Sequence, residues 1–309
     1  MTGFVVGKVL RAVLALLILV TLTFVALRSA GDPTSTFLPP NATEREVQDF
    51  KRNWGLDRPL YVQYATYLAN ALQGDLGRSF QDGRPVTEVI GERIPATLLL
   101  LGLSFALMIL LGVPLGVLAA FRHGTWIDRS VMVASVIGYS VPNFFLGVLL
   151  ILVFAVQLRW LPSTGNDSLG ALVMPVITIG TTGSAIIARF VRAAVLEVLS
   201  KPHVRAARAR GLREVLVVAG HILPNAAIPT VTLIGFLLGG LIAGGVVTET
   251  LFAWPGIGRL TVTAAASRDL AVVQAIVLLV GASMVTANLI VDLLYGWLDP
   301  RIHLTGREP

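Results

Sequence analysis

Ser200-Lys-Pro-His-Val-Arg-Ala-Ala-Arg-Ala-Arg-Gly-Leu-Arg-Glu-Val-Leu-Val-Val-Ala-Gly-His-Ile-Leu-Pro-Asn-Ala-Ala-Ile-Pro229 is the most basic stretch of an otherwise greasy chain, with Lys201, Arg205, Arg208, Arg210 and Arg213 close together. The apolar runs on either side are each long enough to cross a bilayer, so the stretch belongs at a membrane surface and not inside a soluble fold. Ser200 with Pro202 in the first turn is a helix-start signal, and the alanine-rich continuation keeps the helix going. Gly211 then offers a left-handed stop. The expectation is a short helix parallel to the membrane, followed by a turn.

The bulk numbers agree. Of 309 residues, 55% are hydrophobic and 14% charged, and mean hydropathy is +0.78. Soluble domains rarely have this balance, and several apolar runs near twenty residues indicate a polytopic membrane protein. In a soluble protein the net charge of +6 and the pI near 10.2 would suggest a nucleic-acid partner. Here the excess of Lys and Arg in cytoplasmic loops explains them, so no nucleic acid is expected. The chain has no cysteine, which excludes disulfides, iron–sulfur clusters and thiol catalysis.

Lys8 and Arg11 precede an apolar run from about Ala12 to Leu27, with no small-x-small cleavage pattern after it, so it reads as a retained first span. Further spans are expected at about Thr97 to Ala120, Val131 to Val156, Ala171 to Val191, Ala226 to Val247 and Ala271 to Trp297, making six. The ends and short loops on one side, including Arg122, Arg129, the opening stretch, Arg301 and Arg307, carry thirteen basic residues. The other short loops carry three, Arg159, Arg259 and Arg268. Both termini and the opening stretch are therefore expected in the cytoplasm.

The organisation follows: residues 1–28 as the N-terminal end and first span, 29–96 as an external loop region, and 97–309 as a core with a cytoplasmic loop at about 193–224. The external region reads as partly helical. Thr43 caps a helix with Val47, Phe50 and Trp54 on one face, and Tyr61, Tyr64, Leu68 and Leu72 form a second face ending at Gly74. It is either a small packed cap or a part that touches the substrate. Pro142, Pro175 and Pro229 lie inside spans, where each frees a carbonyl and can kink a helix, either as a packing feature or where helices line a pathway. Gly235, Gly239, Gly240 and Gly244 give small-xxx-small spacing on span five, a face for close helix contact within the chain or with a partner.

What is missing limits the chemistry. The three lysines, Lys8, Lys51 and Lys201, lie in no phosphate-binding loop. Glu249 falls at the outer end of span five and Asp292 near the inner end of span six, so no carboxylate marks a mid-membrane ion relay. His123, His203, His221 and His303 are scattered, and no metal site is expected. No Gly-x-Ser-x-Gly elbow supports a hydrolase, and no catalytic residue or bound cofactor is expected. What remains is a passive conduit driven from the cytoplasm, with an ion-coupled secondary transporter as the alternative.

Ala206-Ala207, Gly211 three residues on, and the ending His221-Ile-Leu-Pro224 resemble the "EAA" signature of permease subunits of bacterial binding-protein-dependent ABC importers. Arg205 stands in place of the signature glutamate and His221 in place of an isoleucine, departures that resemble the peptide branch. Leu56-Asp-Arg-Pro-Leu60, Gly74-Asp-Leu-Gly77, Arg159 to Gly165, Glu249-Thr-Leu-Phe-Ala-Trp-Pro-Gly-Ile-Gly258 and the ending from Asp292 through Leu298-Asp-Pro-Arg-Ile302 are similar to the first permease of dipeptide, oligopeptide, glutathione and nickel importers. At Ala30-Gly-Asp-Pro33 relatives have Pro-Gly-Asp-Pro.

The resemblance implies an all-α, six-span type I ABC importer permease in the bacterial inner membrane. It implies pairing with a second, similar permease, with two cytoplasmic ATPases that bind ATP and magnesium, and with an external substrate-binding protein. It further implies that Arg205, Ala206, Ala207, Arg208, Gly211, Leu212, Leu223 and Pro224 form the ATPase-coupling element, whose arginines meet ATPase carboxylates or lipid phosphates. Pro142, Asn143, Glu249 and Trp254 are the expected pathway or gate residues, for di- or oligopeptides, glutathione or, alternatively, nickel.

Overall fold

The computed structural model describes residues 2–29, 34–39 and 41–298. The turn at 30–33, Arg301, Arg307, the segment after Leu298 and the side chain of Asp292 lie outside what is described. In chain order the helices are α1 (Thr2–Ser29), α2 (Thr34–Phe37), α3 (Glu44–Asn53), α4 (Leu60–Leu72), α5 (Val86–Gly91), α6 (Ile94–Phe121) and α7 (Trp126–Ser140). Then come α8 (Asn143–Leu150), continued by a π-helical stretch Ile151–Gln157, α9 (Gly170–Leu199), α10 (Pro202–Ala209) and α11 (Glu214–Val217). A π-helical turn Val218–Ile222 leads into α12 (Leu223–Leu251), followed by α13 (Ile257–Ala266) and α14 (Leu270–Leu298). Among the described residues there is no strand, only an isolated bridge between Arg78 and Pro85.

The described residues contain five helical stretches long and apolar enough to span a bilayer: Leu10–Ser29, Val86–Phe121, Gly170–Leu199, Glu214–Leu241 and Leu270–Ala287. A sixth is the pair Trp126–Ser140 and Asn143–Gln157, bent by 98°. Helix is the natural solution, because in hydrocarbon every backbone N–H and C=O must be paired within the segment. Two details differ from expectation. Span three is broken rather than kinked, because Pro142 forces Val141 out of the helical region to ψ 121. The fifth apolar helix starts at Glu214 rather than Ala226, since the π turn before Leu223 absorbs the missing N–H of Pro224 without ending the helix.

The chain folds as two compact units. One comprises Met1–Thr97 and Pro255–Val285. Its core joins Val86 and Ile90 of α5 with Ile257, Ala264, Val272 and Ile276. Asp269, 2% exposed, accepts hydrogen bonds from the Ser79 hydroxyl and from Phe80 N at 3.2 Å, and Thr97 Oγ1 accepts from Ile257 N at 2.7 Å. The loop region is folded, as the sequence suggests. Thr43 and Glu46 close a reciprocal capping box on α3, and Trp54 meets Phe80 edge-on with centroids 4.6 Å apart.

The other unit comprises Leu98–Trp254 and Thr286–Pro309 and is built round α9, which packs on α7, α8 and α12. Helix α6 reaches α9 at backbone distance through glycines. A methyl group at Gly112 would lie 2.7 Å from Ile187 Cβ, and one at Gly116 would lie 2.6 Å from the Ala188 carbonyl oxygen. Gly180 and Gly183 of α9 receive Leu107 and Met108 in return. Of the four glycines on span five, Gly240 and Gly244 face open space, whereas Gly239 is buried and Gly235 half-buried.

Candidate functional site

The basic stretch forms the short helix and the turn expected of it, with one refinement at its start. Helix α9 ends at Leu199, and the Ser200 hydroxyl bonds back to the Glu197 carbonyl at 2.7 Å instead of capping the next helix. Lys201, extended at φ −71 and ψ 146 and paired with Glu197 at 2.8 Å, occupies the cap position before Pro202. Helix α10 has two faces. Val204 and Ala207 are buried where it packs on α11 and the following π turn, whose Val217 and Ile222 are also buried. Arg205, Ala206 and Arg208 point outward. The alanine pair is thus divided, Ala207 seating the helix and Ala206 leaving its outer face low.

The turn after α10 is built by Gly211 at φ +76, whose N–H bonds the Arg208 carbonyl at 2.9 Å. Across that turn Arg208 grips Glu214 with two prongs, Nη2 to Oε1 at 2.5 Å and Nε to Oε2 at 3.1 Å. The carboxylate pushes the Arg208 pKa up, so Arg208 belongs to the turn's own architecture. Arg205 and Arg210 form no ion pair within the described residues. Beside them lies an exposed apolar patch of Leu212 (40% exposed), Leu216 (56%) and Val215 (77%). Leu223 and Pro224 are also exposed, at the start of α12. Exposed apolar residues of the turn and α11, next in the chain to the unpaired Arg205 and Arg210, make a surface suited to docking a partner protein.

Sequence reading missed a nearby cluster. Asp128, 3% exposed, accepts from Arg192 Nε at 2.5 Å and Nη2 at 2.9 Å, from Gly124 N at 3.0 Å, and lies 3.0 Å from His123 Nδ1. It fastens the loop after α6 to α9, near the end of that helix. His123 and Arg192 were visible only as scattered basic residues, because a contact between positions 128 and 192 leaves no local pattern.

At the break in span three, Pro142 caps α8 and Asn143 opens it. Thr182 of α9 spans the bend, donating to Asn143 Oδ1 and lying 3.3 Å from the Gly138 carbonyl, which the interrupted helix leaves free. A cavity of about 330 Å3 adjoins it, lined by neutral small residues including Ser130, Ser135, Thr181 and Ser184. Glu249 and Trp254 are 1% and 2% exposed, at the end of α12 and in the turn that follows it. That turn is a left-handed helix stop at Ala253 (φ 49), with Trp254 N bonded to the Glu249 carbonyl at 2.8 Å. Neither side chain faces open solvent within this chain. Among the described residues no group of His, Asp and Glu could hold a metal ion.

Helices long and apolar enough to span a bilayer, one of them broken beside a cavity, define a multi-pass membrane protein. Residues 112–304 match the family model of the "Binding-protein-dependent transport system inner membrane component", and residues 1–101 match the model of the N-terminal part of such membrane components. The chain belongs to that family and is a permease subunit of an ABC importer in the inner membrane. It is 40% identical over 303 residues to the glutathione transport system permease protein GsiC of Escherichia coli, covering 98% of this chain and 99% of the relative, and equally to that of Shigella dysenteriae. Among solved structures it is similar in fold to an inward-facing MetNI methionine ABC transporter (TM-score 0.56, 22% identity, 69% of this chain and 97% of the other). An amino acid ABC transporter solved with histidines is also similar (TM-score 0.54, 17% identity, 68% and 94%).

Proposed function

We propose that this permease forms half of a translocation pathway for glutathione or di- and oligopeptides, beside a second, similar permease. Two cytoplasmic ATPases bind the ATP and magnesium, and an external binding protein delivers the cargo. The chain itself holds no cofactor and no ATPase site, in keeping with the absence of a phosphate-binding loop from its sequence. Both termini and α10 lie in the cytoplasm and residues 29–96 outside, a reading supported by the thirteen-to-three distribution of basic residues.

The observation that carries this reading is the outward face of α10, with Arg205, Ala206 and Arg210 beside Leu212, Val215 and Leu216 and its inner face already seated. ATPase closure would push on this helix and move the helices packed with it. Neutral Ser and Thr residues along the α7–α9 cavity suit a cargo that must not be held tightly. Liposomes carrying the four subunits, supplied with the binding protein and glutathione or dialanine, test it. Uptake that needs ATP and survives dissipation of the proton gradient is expected. Uptake that collapses with the gradient while ATP is present would identify an ion-coupled transporter instead.

A further inference from the structure

In the unit formed by Met1–Thr97 and Pro255–Val285, the end of α1, helix α4, the 74–80 loop and the start of α14 surround a cavity of about 190 Å3. Three arginines line it, Arg28, Arg58 and Arg78, against one acidic residue, Asp75. Asp75 Oδ1 is already engaged by Gly77 N at 2.9 Å and shapes the loop. Arg28 lies 5.4 Å from the centre of the Phe24 ring, and Arg78 donates one hydrogen bond, to the Gly83 carbonyl at 3.1 Å. Arg58 has no ion-pair partner among the described residues. The field in this recess is positive, and forked guanidinium donors match carboxylate geometry.

The floor of the cavity carries a second, independent signal. Gln274 on α14 is 7% exposed, lines the cavity and makes no side-chain hydrogen bond among the described residues. Gln63 donates through Nε2 to the Arg58 carbonyl at 2.7 Å, while its buried Oε1 accepts no hydrogen bond. Buried polar groups in native proteins find partners, so the unpartnered Gln274 amide in this polar recess points to a ligand. Tyr67, whose phenol pKa burial pushes up, adds a donor, and Trp54 and Phe80, set edge to face, supply an apolar wall.

We propose that this cavity receives the carboxylate end of a short peptide, with the arginines holding the carboxylate and Gln274 the adjoining amide. The volume is that of about six waters at roughly 30 Å3 each, enough for one terminal residue, with the rest of the peptide outside. The inference rests on the proposed reading that this face is extracytoplasmic and the cargo peptidic. It adds a reception site on the permease itself, distinct from the cavity along α7 and α9.

The test uses the assembled transporter in nanodiscs without binding protein, following tryptophan fluorescence with a Trp54→Phe assembly as background. Dialanine is titrated against dialanine amide and acetate. Saturable dialanine binding is expected, at least tenfold tighter than either control, and weakened at least fivefold by Gln274→Leu and by Arg58→Glu, a surface change that leaves the core alone. Absence of saturable binding, or equal binding by wild type and both variants, would overturn the site. Acetate binding as tightly as dialanine would overturn the peptide assignment. If dialanine does not bind but the variants weaken docking of the binding protein, the carboxylate comes from that protein, and the small-molecule source is wrong. ATP-driven uptake is measured on the same assemblies with binding protein present: uptake without dialanine binding rejects this site alone, and loss of wild-type uptake rejects the permease reading.

Discussion

Arg192 holds Asp128 in a two-pronged ion pair, Nε to Oδ1 at 2.5 Å and Nη2 to Oδ2 at 2.9 Å, with the carboxylate almost fully buried. Removing one partner leaves a desolvated charge, which costs more than the pair contributes by existing. Arg192→Ala is expected to lower stability by about 3 kcal/mol, and a double-mutant cycle with Asp128→Ala to show coupling of about 2 kcal/mol. Thermal unfolding of the isolated chain in detergent measures both. Additive effects would mean that the two side chains act independently.

The glycine seam between α6 and α9 is expected to tolerate nothing larger. Gly116→Val would drive a side chain into the Ala188 carbonyl and Val191, costing about 3 kcal/mol or more. Gly240→Val meets open space and should leave the chain's own unfolding temperature nearly unchanged. Parallel melts of the two variants decide the matter.

The capping box on α3 gives a pH dependence with a definite sign. Hydrogen bonds to Glu46 from the Thr43 backbone N–H, and then from its hydroxyl, hold the carboxyl below its usual range. A depressed folded-state pKa means that the stabilisation is complete above the unfolded value of about 4.3 and is lost as pH falls through the lower, folded value. Hydrogen exchange at the Thr43 and Glu46 amides should therefore lose protection on acidification below about pH 4, and Glu46→Gln should flatten that response.

Gly211 tests coupling. Its φ is +76 and the space beside its Cα is open, so Gly211→Val strains only the backbone, by about 1–2 kcal/mol. The assembled variant is expected to hydrolyse ATP with uptake reduced at least tenfold, measured in the same liposomes. Normal uptake would return Gly211 to a local turn role.

Much of this was legible in the sequence for physical reasons. Apolar runs, the Thr43 cap and the Pro202-to-Gly211 helix are local patterns, and local patterns are written in neighbouring residues. The break at Pro142 was visible as an interruption, but not its 98° angle, because Thr182 fixes that from another helix. The Asp128–Arg192 pair and the Gly112 and Gly116 seam depend on which helices meet, and no spacing within one helix encodes that. Span five's glycines drew attention for the same spacing, yet Gly240 and Gly244 face away from the chain. Arg208 looked like a free docking charge until the fold put Glu214 across the turn.

The most direct test of the coupling assignment uses the chain's lack of cysteine as a clean background. Single cysteines are placed at Ala206, on the outer face of α10, and at exposed Tyr61 on α4, and each assembly is treated with a short thiol-to-amine crosslinker. Ala206→Cys should join to an ATPase subunit, with a yield that changes between nucleotide-free and ATP-bound states, and Tyr61→Cys should not. A Tyr61→Cys crosslink to the ATPase, or none from Ala206→Cys in an assembly that still takes up substrate, would contradict the assignment of α10 as the coupling helix.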